Sequence, residues 1–286
     1  MKILIYGLKE SIGGIELVVL NYAKQLIKAK IECVFIINPN HDILKQKIIS
    51  IGGEYIPCPT RRENLSEYKK CLKGTFKNNS FNAVWCNFSG LTNIDILRLA
   101  KKHHIPLRIC HSHTSALSHS GILMKFLVHL LHYKNRLFID KFATHFWACS
   151  KKSGEFMFPK KIHTKVAIWH NAIDTDRFCP NIPLGEKTRQ ELGIENNYVI
   201  GHIARICKEK NQEFLLKLRD SKLQDDLLIE EFYDNIIKNY DYAENYYIIL
   251  IHAVYDVPGK SSDGLEMFDA SDTVYEHIMC SICPVN

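Results

Sequence analysis

Two histidines stand two residues apart, His111 and His113, in the run CHSHTS from Cys110 to Ser115, with Ser112 between them. On an extended segment residues at that spacing point the same way, so the pair can clamp an anion, relay a proton or begin a metal site. A metal needs a third ligand, and no HxxxH spacing or acidic partner stands nearby in sequence. A second chemical stretch is YVIGHIARICKEKNQEFLLKL, Tyr198 to Leu218, where an apolar run is followed by a basic turn with Arg205, Lys208 and Lys210 and then by a helical pattern from Gln212. Strand, cationic loop and helix in that order suit a diphosphate, because first-turn N–H groups and two fixed cations match its charge. A third is the loop Gly7 to Gly14, whose Gly13 and Gly14 precede the helical pattern IELVVLNYAKQLIKAK. Glycines at a helix start let a ligand approach the backbone closely. Their spacing is not GxGxxG, so a dinucleotide fingerprint is not supported. An ordinary βα turn without ligand is the alternative for both loops, and two histidines without a role are the alternative for the pair.

These residues need a scaffold, and the chain spells one. Short β-branched runs at Lys2 to Tyr6, Glu32 to Ile37, Glu54 to Ile56, Phe81 to Cys86, Leu107 to His111, His145 to Cys149 and Lys165 to Trp169 read as strands. Between them lie helical patterns from Ile15, over Asp42 to Ser50, Leu65 to Asn78, Asn93 to His103, Ile122 to Phe138 and Ser150 to Phe158. Such alternation predicts an α/β, Rossmann-like, doubly wound parallel sheet, with ligands gathering at the carboxyl ends of its strands. The segments just past those ends are Gly7 to Gly14, Asn87 to Gly90 and His111 to Ser115. HNAIDTDRF at His170 to Phe178, with Pro180 and Pro183, reads as an interdomain connection, followed by a short helix over Gly185 to Leu192. The helix over Ile122 to Phe138 mixes large apolar residues with Lys125, His129, His132, Lys134 and Arg136. Its apolar face is expected to pack on the domain, with an anionic membrane surface as the alternative.

Totals bound the function. The 286 residues are 46% apolar, enough for a core and for two domains. No apolar run approaches the ~20 residues of a membrane span, and Met1 to Tyr6 reads as a strand rather than a signal peptide, so a cytoplasmic location, free or peripheral at the inner membrane face, is expected. Ten scattered cysteines fit free thiols, and the single CxxC pair, Cys280 and Cys283, is a weak zinc signal. Residues 219–286 hold four basic and fourteen acidic residues, a net of −10; the chain's overall +6 therefore leaves +16 on residues 1–218. That asymmetry predicts two segments of different character. A nucleic-acid reading rests on charge alone and lacks a reader motif.

With these pieces in order, the chain resembles the family-4 retaining glycosyltransferases of the two-Rossmann (GT-B) type, especially bacterial enzymes of capsule, exopolysaccharide or lipopolysaccharide synthesis. The resemblance rests on SIGGIE at Ser11 to Glu16, CHSHTS, ACSKKSGEFMF at Ala148 to Phe158, WHNAIDTDRF at Trp169 to Phe178 and GHIARICKEKNQEFL at Gly201 to Leu215. It implies transfer of a sugar from a nucleotide-sugar, most often a UDP-sugar, to a glycan or lipid-linked acceptor, without a metal or other cofactor. It further implies that Gly13, Gly14, Arg205 and Lys210 meet the donor phosphates, that His111 and His113 line the cleft, and that Glu16, Ser112 and Asn171 lie on the acceptor side. The expected organisation is an acceptor-side domain over 1–178, the start of a donor-binding Rossmann domain over 179–218, and a foreign acidic α+β tail over 219–286, part of which resembles an unrelated bacterial family of unknown function. The family's E-x7-E donor motif is absent, because no glutamate stands eight positions before another. Weak or absent transfer by this chain is the expectation. A non-catalytic basic scaffold on a membrane surface is the alternative function.

Overall fold

A computed structural model describes residues 1–9, 12–117, 122–173, 175, 179–191, 198–204, 211, 214, 247–253 and 265–269. Contacts divide the chain into two compact units, Met1–Ile173 and Asp174–Asn286.

The first unit alternates strands and helices in chain order: β1 (Lys2–Tyr6), α1 (Gly14–Lys28), β2 (Glu32–Ile37), α2 (Asp42–Ser50), β3 (Glu54–Pro57), α3 (Leu65–Asn78), β4 (Ala83–Phe88), α4 (Asp95–Lys102), β5 (Leu107–Ser112), α5 (Ile122–Leu137), β6 (His145–Ala148), α6 (Lys151–Met157) and β7 (Val166–Ile168). The strands form one seven-stranded sheet in the order β3-β2-β1-β4-β5-β6-β7, with every pair parallel. Strand order reverses between β1 and β4, which makes their carboxyl ends the crevice where such sheets bind ligands. The two-residue strand period splits the core. Ile3, Ile5, Cys33, Phe35, Ile37 and Trp85 pack with α1 and α2. Leu4, Val34, Ile36, Val84, Cys86 and Phe88 pack with α3, α4 and α6 on the opposite face.

Local differences from the sequence reading have local causes. β4 runs to Phe88 because Asn87 and Phe88 pair with His111 and Ser112 of β5. In the second unit α7 (Ile182–Glu191) begins earlier than Gly185. Asn181 Oδ1 accepts the Leu184 N–H at 3.1 Å, and Pro183 falls in the first turn, where a missing N–H costs no helical bond.

β8 (Tyr198–Ala204), β9 (Tyr247–Ala253) and β10 (Leu265–Asp269) form a three-stranded sheet in the order β10-β9-β8 with antiparallel pairing throughout. The strand expected at the start of a second Rossmann half is therefore present, but among the described residues it has no parallel neighbour. Its unpaired edge takes the apolar strand YIILIHA of the acidic tail instead. Apart from Asn211 and Phe214, the helix expected from Gln212 and its flanks lie outside the described residues, as do Cys280 and Cys283.

The largest departure is α5. Its apolar face was expected against the domain, yet its buried residues are Val128, His132 and Asn135. What α5 covers is not a sheet face but the loop after β4, where Leu91 is fully buried. A buried loop carries backbone groups that need partners. His132 Nδ1 accepts the Leu91 N–H at 3.0 Å and Asn135 Nδ2 donates to the Leu91 carbonyl at 2.6 Å, while Arg98 holds Asn135 Oδ1 at 3.2 Å. The polar face thus points inward, and Ile122, Phe126, Leu130 and Leu137 point out.

Candidate functional site

The site is assembled where β1 and β4 part. Gly7 follows β1 with φ +102°, and a Cβ there would lie 2.0 Å from the Asn87 carbonyl oxygen, so only glycine lets the chain leave β1 so close to β4. Asn87 spans the gap: its Nδ2 donates to the Tyr6 carbonyl at 3.3 Å, which turns Oδ1 toward His113 Nε2 at 2.9 Å. Since Oδ1 can only accept, His113 carries its proton on Nε2 and keeps Nδ1 as an acceptor. The His113 N–H donates to the Phe88 carbonyl, and Thr114 Oγ1 donates to the Ser89 carbonyl, so the segment after β5 is fastened to the end of β4.

Beneath this pair, Trp85 Nε1 donates to His111 Nδ1 at 3.2 Å. His111 is 1% exposed, between Trp85 and Trp147 and with the His113 ring centroid 4.1 Å away, and its Nε2 has no partner. Burial pulls the His111 pKa down to about 3, reinforced by His113, and burial pulls His113 down to about 4. Both rings are therefore neutral at pH 7. They can accept and donate hydrogen bonds, but they supply no cation to an anion.

Glycines and glutamate of the first loop divide their work. Gly13 caps α1 in an extended conformation, and Glu16 folds back so that Oε2 accepts the Gly13 N–H at 2.9 Å and Oε1 the Lys9 N–H at 2.8 Å. Because glycine has no side chain, this is half of a capping box, and both carboxylate oxygens are used on the loop. Glu16 is buried, so it shapes the loop rather than facing an acceptor. Gly14 has an ordinary φ, and a Cβ there would meet nothing within 4 Å. No packing among the described residues requires glycine at that position.

Ser112 also turns away from the crevice: it is fully buried and its Oγ donates to the Ser153 carbonyl at 2.9 Å, tying β5 to α6. Asn171 is exposed, in a segment held to α1 by Tyr22 Oη, which donates to the His170 carbonyl at 2.8 Å, and to β6 by Trp169 stacked on Trp147 at 4.4 Å. Arg205 and Lys210 lie outside the described residues. Of the expected residues, the structure brings Gly13 and Gly14 to the end of the sheet that holds His113, and turns His111, Ser112 and Glu16 to supporting positions. Asn87 and Trp85 were not singled out from sequence as site residues, although an asparagine at the carboxyl end of an apolar strand was a signal for the first. A further polar cluster at the same end, Tyr6 Oη 3.1 Å from Tyr68 Oη with Asn93 Nδ2 donating to Tyr68 at 2.8 Å, left no local pattern. Among the described residues no three His, Cys, Asp or Glu side chains gather to hold a metal ion, and the cysteines are free thiols.

Comparison with known proteins places this geometry. A profile described as a domain of unknown function (DUF4317) matches residues 203–286, so its boundary falls inside β8, ahead of the expected boundary at 219. EpsF of Bacillus subtilis (strain 168), whose name calls it a glycosyltransferase, is 29% identical over 212 residues, covering 72% of this chain and 54% of EpsF. The chain thus spans about half the length of that relative. Two structures of Anabaena HepE share the fold: one with UDP and glucose (TM-score 0.57, 16% identity, 77% of this chain and 58% of that one) and one with UDP-glucose (TM-score 0.57, 15% identity, 85% and 68%). The Glycosyltransferase Family 4 profile matches residues 12–177, which run from the loop before α1 through β7 and take in every strand of the parallel sheet except β1, and the chain belongs to that family.

Proposed function

We propose that the protein works in sugar transfer from a nucleotide-sugar, in particular a UDP-sugar, to a glycan or lipid-linked acceptor of a bacterial surface polysaccharide, with retention at the anomeric carbon. The observation that carries this reading is the β1–β4 crevice, where no packing among the described residues requires Gly14 to be glycine and where it stands at the same end of the sheet as the Asn87–His113 pair. HepE, with the same fold, has been solved with UDP and with UDP-glucose.

The chemistry divides between neutral and charged groups. A departing nucleoside diphosphate develops negative charge that fixed cations stabilise. His111 and His113 are neutral and cannot do so. In this reading Arg205 serves as a bidentate clamp on the diphosphate and Lys210 as a point charge. His113 Nδ1 accepts from a sugar hydroxyl, held in place by Asn87, and Trp85 fixes the His111 ring beneath it. We assign no protein nucleophile and no metal. Turnover by this chain alone is expected far below the ~1 to 1000 per second common for enzymes, since the paired donor glutamates are absent.

Calorimetric titration with UDP tests the donor contact. Heat from the parent that disappears in Arg205→Ala is the expected result. A parent that gives no heat overturns the donor assignment.

A further inference from the structure

The polarity of α5 is inverted relative to an ordinary packed helix. Ile122, Leu123, Phe126, Leu130, Tyr133 and Leu137 are all exposed, Ile122 by 92% and Phe126 by 68%, while the inward positions are Val128, His132 and Asn135. Scattered apolar residues on a surface need no explanation, but a contiguous stripe along four turns of helix does. Water is a poor medium for it, and the hydrogen bonds of His132 and Asn135 to Leu91 prevent the helix from rolling the stripe inward.

Charge decides what covers it. The helix sequence ILMKFLVHLLHYKNRL contains no carboxylate. At about 100° per residue, Lys125 and Lys134 fall on opposite flanks of the apolar stripe. Both are exposed, and neither has an ion-pair partner among the described residues. At the carboxyl end Lys141 sits over the exposed Phe138 ring at 4.8 Å. The carboxylates in the neighbourhood do not offset this: Asp140 is taken by Lys161, and Glu155 is one acid on α6. Arg136 is spent on the Glu155 and Phe158 carbonyls.

From this we infer that the outer face of α5 is a docking surface for an anionic phospholipid bilayer, with the apolar stripe in the acyl boundary and the flanking lysines on headgroup phosphates. A stripe of large apolar side chains bordered by lysines is the pattern of a helix lying in the membrane interface. A second copy of the chain fits less well, because a two-fold contact through α5 sets its lysines against themselves with no acid to answer them. No helix among the described residues is long and apolar enough to cross a membrane, so the contact is peripheral. This inference stands on the helix alone and holds whether or not the chain transfers sugar.

The test is flotation of the full chain with vesicles of phosphatidylglycerol and phosphatidylcholine, against phosphatidylcholine alone. Binding should require the anionic lipid and weaken with added salt. Lys125→Ala and Lys134→Ala should each lower the partition coefficient about fivefold. The double variant Phe126→Glu, Leu130→Glu should abolish binding while leaving the far-ultraviolet dichroism unchanged, because both side chains are exposed. Ile43→Glu with Ile49→Glu, on the exposed face of α2, should leave binding intact. The inference is overturned by a parent that stays with the soluble fraction, by binding that survives the α5 double variant, or by a parent that sediments as a dimer and becomes monomeric in that variant without binding vesicles.

Discussion

Helices α1 and α5 are nearly the same length, 15 and 16 residues, and both mix large apolar side chains with lysines, yet they bury opposite faces. α1 puts Val19, Leu20 and Ala23 against β1, β2 and β4 and leaves its lysines outside. α5 puts His132 and Asn135 inward and leaves leucines outside. The difference lies in what each helix covers. The sheet offers α1 an apolar surface of side chains, whereas the loop at Leu91 offers α5 a backbone N–H and a carbonyl. Amphipathicity states that a helix has two faces; its partner selects which face is buried.

The largest expected effect separates the two directly. Leu20→Ala in α1 should cost about 2–5 kcal/mol in urea unfolding, as for other buried leucines, while Leu130→Ala in α5 should stay within about 0.5 kcal/mol. Equal costs would mean that α5 packs through its apolar face after all. Acid should come next. His132 is held neutral by burial, its pKa lowered from 6.5 to about 4, so the unfolded chain takes up the proton first and stability falls as pH drops through that window. His111 and His113 act in the same direction. Each contributes up to about 1.4 kcal/mol per pH unit, and His132→Gln should make the slope of stability between pH 6.5 and 4 shallower by one histidine's share. An unchanged slope would place the acid sensitivity elsewhere. The smallest effect concerns the start of α1: Glu16→Gln keeps the size but loses charge-assisted bonds to Gly13 and Lys9, and should cost about 1 kcal/mol by thermal unfolding, with a UDP affinity that falls if the loop shapes the donor site. Unchanged stability would show that the loop holds without its carboxylate.

Much of the parallel sheet was legible because each strand is a short β-branched run and each helix has a 3.6-residue pattern, and these periods follow from backbone geometry alone. Gly13 and Gly14 could be placed at a helix start for the same reason. Asn87 was placed only within a segment past a strand end, without a role, because its role depends on β4 running two residues further to pair with β5, and register is a property of two strands. Ser112 and Glu16 looked like site residues from their motifs. The Glu16 carboxylate is instead committed to Gly13 and Lys9 within its own loop, and the Ser112 hydroxyl to Ser153, a contact that only the folded chain brings into reach.

The amino-acid order by itself determined the α/β alternation, the family of residues 12–177 and the break in character toward the acidic tail, since period, motif and charge are local or additive quantities. Tertiary structure decided which of two adjacent histidines sits above the other, which pairing β8 accepts, and which face α5 turns to solvent. Each of those depends on the surface or backbone group supplied by a distant segment, and no local pattern carries that information.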